Sequence, residues 1–218
     1  MTRELEKRHQ LLKIAALLLF ILLSIFSLAN EPISRYKSSI STLHNFSVYI
    51  MDQGQCSASD FSAMLLYYNP DLNPAKVDYL ARVYVTEATK EGVNQDIAFS
   101  QMCLETGFLN FKGNVKPHQN NFCGLGAVSA HSNGEHFPDV ETGVRAHIQH
   151  LKAYASTLDL ILPNVDNRFR FVKRGIAPTI YELPGRWASD KEYAVKLESL
   201  LSRLFLIRYQ TASRETNK

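Results

Sequence analysis

Apolar positions change their period several times along the chain. From Ile14 to Asn30 they form an uncharged run, IAALLLFILLSIFSLAN, with no polar face. Basic residues followed by such a run have the layout of a secretory signal, and Ser27-Leu28-Ala29 offers a small-x-small cleavage site. The run is also nearly as long as the roughly 20 apolar residues that cross a bilayer, so a retained anchor fits the same letters. Arg3, Lys7, Arg8 and Lys13 precede it and keep the N-terminus cytoplasmic. Residues 1–29 are therefore a signal peptide or membrane anchor, and under either reading the remaining chain is exported.

Residues 30–56 are polar and Ser-rich with short apolar patches such as FSVYIM, and read as a stem. Helical spacing begins with Phe61, Met64, Leu65 and Tyr68, behind capping residues Ser57 to Asp60. Asn69 to Pro74 is turn chemistry, with Asn73 placed to cap a long helix that has Pro74 at its first position. Its stripe is Val77, Leu80, Ala81, Tyr84 and Val85. Gly92-Val93-Asn94 ends it, and a further helix from Asn94 or Gln95 is stopped by Gly107. Phe108 to His136 is rich in Gly, Asn, Ser and His. It reads as loop with a short β-hairpin at Ser132-Asn133-Gly134, because Asn-Gly favours tight hairpin turns. Glu141–Ala155 is helical again. A loop with Pro163 and Pro178 follows, then a last helix from about Asp190 to Ile207. Residues 209–218 read as a flexible tail. The pattern is mainly α, with one domain at 57–208.

Charge adds an exclusion. The 24 Lys+Arg and 21 Asp+Glu fall to 20 and 19 once Arg3, Lys7, Arg8, Lys13, Glu4 and Glu6 are set aside. A body that close to neutral does not suit nucleic-acid binding, which draws on a basic excess. Cys56, Cys103 and Cys123 are the three cysteines. An exported site permits a Cys103–Cys123 bond, although buried free thiols are the simpler expectation. His147 and His150 stand three apart on a helix, with His131 and His136 nearby. Without a third ligand at metal spacing this indicates no metal, and no cofactor motif is present.

The chemistry concentrates at Glu105. From Ile97 to Leu109 it is the only charged residue, and it closes its helix. Apolar surroundings and the negative end of a helix both disfavour the carboxylate. A carboxylic acid that keeps its proton near neutral pH can donate it to a glycosidic oxygen.

QMCLETGFL followed by NNFCGLGA resembles the glucosaminidase domain of bacterial cell-wall hydrolases, family 73 of the glycoside hydrolases. Gln101 with Leu104-Glu105-Thr106-Gly107, then Asn120-Asn121-Phe122-Cys123-Gly124-Leu125, match its two motifs in order. Phe137 to Gly143 resembles the segment entering the next helix. Gly185-Arg186-Trp187-Ala188 with Asp190 and Tyr193 resembles the C-terminal segment. The similarity spans roughly residues 74–207. It implies a lysozyme-like α-helical fold with a small β-hairpin lobe, and an endo-β-N-acetylglucosaminidase that cleaves the β-1,4 bond between N-acetylglucosamine and N-acetylmuramic acid.

By the same resemblance Glu105 is the catalytic acid. Asn121, Phe122 and Gly124 form the loop beside the cleft, Trp187 flanks it, and Tyr193 lies near the catalytic centre. A second carboxylate would come from the lobe, with Glu135 the candidate and Asp139 the next choice. Otherwise the substrate's own 2-acetamido group serves as nucleophile. The implied partner is the peptidoglycan glycan strand, together with the cytoplasmic membrane if the N-terminal helix is retained. A muramidase or lytic transglycosylase remains open on the same residues. So does a non-catalytic peptidoglycan-binding tether, and more remotely a membrane protein whose helices dock partners.

Overall fold

The computed structural model describes residues 46–127 and 132–215, with the side chains of 214 and 215 excluded. The signal or anchor at 1–29, most of the stem, and His131 lie outside the described residues. Among the described residues there are five α-helices: α1 (Ala58–Tyr68), α2 (Pro74–Glu91), α3 (Gln95–Thr106), α4 (Val140–Ala155) and α5 (Tyr193–Glu215). No helix among the described residues is long and apolar enough to cross a membrane.

The starts and stops have local causes. Ser57 caps α1 in a reciprocal box with Asp60. Asn73 caps α2, with Pro74 at the first turn where a missing N–H costs nothing. Gly92 and Gly107 close α2 and α3 in the left-handed conformation, with φ of 70° and 58°. Asn94 caps α3, accepting from the backbone N–H groups of Asp96 and Ile97.

α3 runs through the middle of the body, and every residue from Gln95 to Cys103 is buried. It packs on α2 and α5, while α1 packs on α2 and α5, and α4 on α2. Phe61 and Phe99 stack at 4.0 Å between ring centroids, and Tyr84 meets Phe99 edge-on. Such burial all round explains why α3 has no polar face.

Two ionic clusters join α2 to α4. Glu87 accepts from Arg145 at 2.7 Å and Lys90 at 3.0 Å. Glu91 and Lys152, both fully enclosed, meet at 2.9 Å. The Glu91 carboxylate also accepts the backbone N–H groups of Ile161 and Leu162, which pins the loop after α4.

Three expectations change. Residues 46–56 are part of the body rather than stem. Ile50 is fully buried and donates its backbone N–H to Pro178, while Phe46 packs on Phe205. The Gln95 and Asp96 side chains accept the N–H groups of Gly54, Gln55 and Cys56, and a Cβ at Gly54 would stand 2.6 Å from Gln95. The last helix runs on to Glu215, because no Gly or Pro interrupts it after Tyr193. No strand forms among the described residues. Tyr49–Thr179 and Pro184–Ala188 are isolated bridges, and part of the segment read as a hairpin lies outside the described residues. Residues 132–136 carry no regular secondary structure, Gly134 has φ of 75°, and the Glu135 N–H is donated to Leu125.

Candidate active site

The three cysteines are buried and free, so Cys103 and Cys123 are not bonded to each other. Burial raises all three thiols above their ordinary range, which makes them inert packing groups.

Glu105 stands in the last turn of α3, at the floor of a cleft of about 430 Å³. Thr106, Phe111, Val115, Gly124 and Trp187 are among its walls. The residue is exposed to solvent through the cleft mouth. Protein nevertheless crowds the carboxyl closely, and burial is the largest influence on its acidity, raising its pKa. Hydrogen bonds from Tyr193 and Trp187 pull the other way without cancelling the rise.

Both donors address the same oxygen. Trp187 Nε1–H donates to Glu105 Oε1 at 2.9 Å and Tyr193 O–H donates to it at 2.5 Å. A proton on the carboxyl therefore belongs on Oε2, the oxygen on the Gly124 side. A Cβ built at Gly124 would lie 3.9 Å from Oε2, and the glycine holds φ at 71°.

Behind Tyr193 lies a buried file of hydrogen bonds. Gln101 Nε2–H donates to the Tyr193 oxygen at 2.8 Å. Gln101 Oε1 is then the acceptor for His147 Nε2, 2.9 Å away. With its proton on Nε2, His147 must accept at Nδ1, and Tyr84 O–H supplies that bond at 2.9 Å. The directions are thus forced along the line Tyr84, His147, Gln101, Tyr193, Glu105. Four hydrogen bonds make up the line, and in each of them the hydrogen points toward the acid. Burial, the larger cause, and the neighbouring His150 lower the His147 pKa to about 3, so the ring is neutral.

Trp187 is held by rings from α4. His150, Tyr154 and His147 lie 5.3, 5.6 and 5.8 Å from it between centroids. It both lines the cleft and closes the core beneath. His150 Nδ1–H donates to the buried Asp166 carboxylate at 2.7 Å, and the rings of both His147 and His150 pack on Trp187. Among the described residues no group of His, Cys, Asp and Glu is disposed to hold a metal.

Other expected site residues sit differently. Asn121 lines the cleft but spends its amide on the loop, accepting from Leu125 N and donating to the carbonyls of Leu125 and Glu135. Phe122 is buried and packs inward against Tyr84 at 6.4 Å, away from the cleft walls. Glu135 does not line the cleft; its side chain lies against Gly126. Asp139 caps α4, accepting from Thr142 N at 2.7 Å. Residues 128–131, Val-Ser-Ala-His, contain no acid. Among the described cleft walls, Glu105 is the one carboxylate.

The cleft also contains a wall that sequence reasoning passed over. After Glu105, residues Gly107, Phe108, Leu109 and Phe111 all have positive φ, from 48° to 62°. This left-handed path brings Phe111 into the wall of the cleft that Glu105 also lines. It is tied down by Phe108 N to Cys103 O, Leu109 N to Thr106 Oγ1, and Phe111 N to Thr106 O, each 2.9 Å.

Residues 81–206 match the glucosaminidase family, described as mannosyl-glycoprotein endo-beta-N-acetylglucosaminidase. An uncharacterised protein of Borreliella burgdorferi is 41% identical over 201 residues, covering 90% of this chain and 97% of that protein. A looser likeness is to the crystal structure of S. aureus autolysin E in complex with the muropeptide NAM-L-Ala-D-iGlu. It has 15% identity and a TM-score of 0.47, over 78% of this chain and 77% of that one.

Proposed function

We propose, from the premise that this chain belongs to the glucosaminidase family, that it is an exported peptidoglycan hydrolase cutting the β-1,4 bond between N-acetylglucosamine and N-acetylmuramic acid. Glu105 is the general acid. The observation that carries this reading is the geometry of its carboxyl: a raised pKa, one oxygen fastened by two donors, and the other facing an open cleft.

In the reaction Glu105 Oε2 gives its proton to the bridging oxygen, and the bond from C1 to that oxygen breaks as positive charge spreads over the ring oxygen and C1. The carboxylate left behind keeps both hydrogen bonds on Oε1, so the charge it acquires is met by donors already in place. With no second carboxylate on the described walls, the substrate's 2-acetamido oxygen closes on C1. Water then attacks C1 and returns a proton to Glu105. Glu135, which lies against Gly126 outside the cleft walls, is the alternative second acid. Trp187 and Phe111 present aromatic surface to the pyranose faces.

The same lone acid suits a lytic transglycosylase, in which a hydroxyl of the sugar replaces water. Mass spectrometry of the released ends separates the two, since a transglycosylase leaves an anhydro-sugar. A zymogram of wall material with wild type and Glu105→Gln tests the enzyme reading. Clearing by wild type and none by the variant is expected. Equal clearing by both removes Glu105 from the reaction, and binding to the wall without clearing by wild type would leave a tether.

A further inference from the structure

A second cavity, of about 310 Å³, opens beside the first and shares Gly124 and Trp187 with it. Its character is different. Arg168 and Arg186 line it with the rings of Tyr154 and Phe171, and no carboxylate does. Neither guanidinium has an ion-pair partner among the described residues. Arg186 donates one N–H to the Glu182 carbonyl at 2.8 Å. It also lies within electrostatic reach of the Glu182 carboxylate, which is already taken by the Thr179 N–H and hydroxyl. Arg168 rests 5.6 Å from the Phe171 ring. Asp166, two residues earlier, is buried and engaged by His150 and by the Arg168 backbone N–H.

The supporting loop is one-sided in charge. Arg168, Arg170, Lys173 and Arg174 fall within seven residues, and no acid occurs from Asn167 to Tyr181. Phe171 is 65% exposed there, an unusual place for a large ring in a body with an ample core. Two unpaired guanidiniums with exposed aromatic faces suit a carboxylate on a short peptide, which Arg grips in a bidentate fork.

The glycan strand itself is neutral at the sugar rings, and its acidic groups lie on the peptide branch. We infer that the cavity beyond Trp187 is a subsite for the carboxylate-bearing stem peptide of peptidoglycan, with Arg168 and Arg186 as its anion-binding groups. The inference rests on the reading of the cleft as a peptidoglycan site. It makes the enzyme one that recognises the branch as well as the chain it cuts, and distinguishes strands by whether they still carry stems.

The test compares soluble glycan strands bearing stems with the same strands after an amidase has removed them and the lactyl carboxyls so freed have been converted to amides. Wild type should show a KM about tenfold lower for the stem-bearing strands, as expected for one added charge-assisted contact. In Arg168→Gln/Arg186→Gln that difference should shrink below about twofold, with kcat falling no further on one substrate than on the other. Stems with amidated carboxyls should behave as if absent. Equal KM values for both strands in wild type would overturn the subsite, as would a variant that loses affinity equally for both. A binding titration of the free stem peptide against Glu105→Gln separates the two levels. Binding that the arginine substitutions abolish supports the subsite even if no strand is cut, and absence of binding refutes it even if the strands are cut.

Discussion

Two hydrogens aimed at one oxygen of Glu105 leave the other oxygen for the proposed chemistry, and substitution at either donor should read out as acidity. Losing the Tyr193 hydroxyl removes an influence that lowers the Glu105 pKa. Tyr193→Phe should therefore move the alkaline limb of the kcat/KM profile to higher pH, and a limb that stays in place would show that Tyr193 does not govern the acid. The same change orphans a hydrogen of Gln101, costing about 1–3 kcal/mol of stability in urea melts. Glu105→Gln should cut kcat by roughly 10²–10⁴-fold, the scale of a lost general acid. It should also alter the pH dependence of folding. A carboxyl whose folded pKa is raised holds its proton longer in the native state, so stability falls as pH climbs from the ordinary carboxylate range through the raised value. The Gln variant lacks that fall, and melting curves across the range would reveal the difference. His147 contributes no such limb: with a pKa near 3 it stays neutral wherever the enzyme works. Glu105 was legible in the chain because it stands alone in an uncharged stretch at a helix end. Gln101 and His147 lie 46 residues apart and bond only through the fold, and neither spacing nor polarity marks them as partners.

At the scale of elements, the site depends on how α3 stops and on what presses against the loop beyond it. Thr106 donates to Met102 O and accepts the Leu109 N–H, anchoring the left-handed path that places Phe111. Each non-glycine residue in that conformation costs about 1–2 kcal/mol, so the path persists only while its ties hold. Thr106→Val keeps the shape and removes the two hydroxyl bonds, leaving the main-chain ties of Phe108 and Phe111 in place. It should lower stability by about 1–3 kcal/mol and reduce activity without touching Glu105, as kinetics alongside thermal melts would show. Gly143, in the first turns of α4, faces the Asn120 backbone so closely that an added Cβ would stand 1.8 Å from its carbonyl oxygen. Gly143→Ala must push α4 off the loop that carries Asn121 and Gly124. A loss of about 3 kcal/mol is expected, at the upper end of overpacking costs, and a smaller loss measured by denaturant titration would mean that the loop yields. Helix ends were readable because Ser, Asn, Pro and Gly announce them. The left-handed run was not, since Phe and Leu are poor residues for positive φ and only tertiary ties hold them there. The far end of α5 was also missed, because a polar stretch continues a helix as readily as it frays.

For the whole molecule, the burial that creates an acidic site also creates a dependence on ionised groups. Glu87 and Glu91 are enclosed, and burial alone would raise them. Arg145 and Lys90 around the first, and Lys152 with the Ile161 and Leu162 N–H groups around the second, hold both below the ordinary range. Their stabilisation is present above the usual carboxylate pKa and is lost as pH falls through the depressed values, so the protein should melt progressively lower in acid. Lys152→Met leaves Glu91 charged and enclosed without its cation. It should cost about 3–5 kcal/mol at neutral pH and much less in acid, which melts at the two conditions would show. The overall helical plan followed from periodicity, whereas the inclusion of residues 46–56 came from contacts with distant residues, among them Gln95, Asp96, Pro178 and α5. The line of hydrogens behind Glu105 draws on α2, α4, α3 and α5, and it runs in one direction only. A lineage that keeps the acid is therefore not at liberty to drift at Tyr84, Gln101, His147 or Tyr193 one letter at a time. Tyr84 must give a hydrogen, and His147, Gln101 and Tyr193 must each give one and take one in a fixed sense, so these four far-separated positions are bound to be inherited, or rewritten, as a single word.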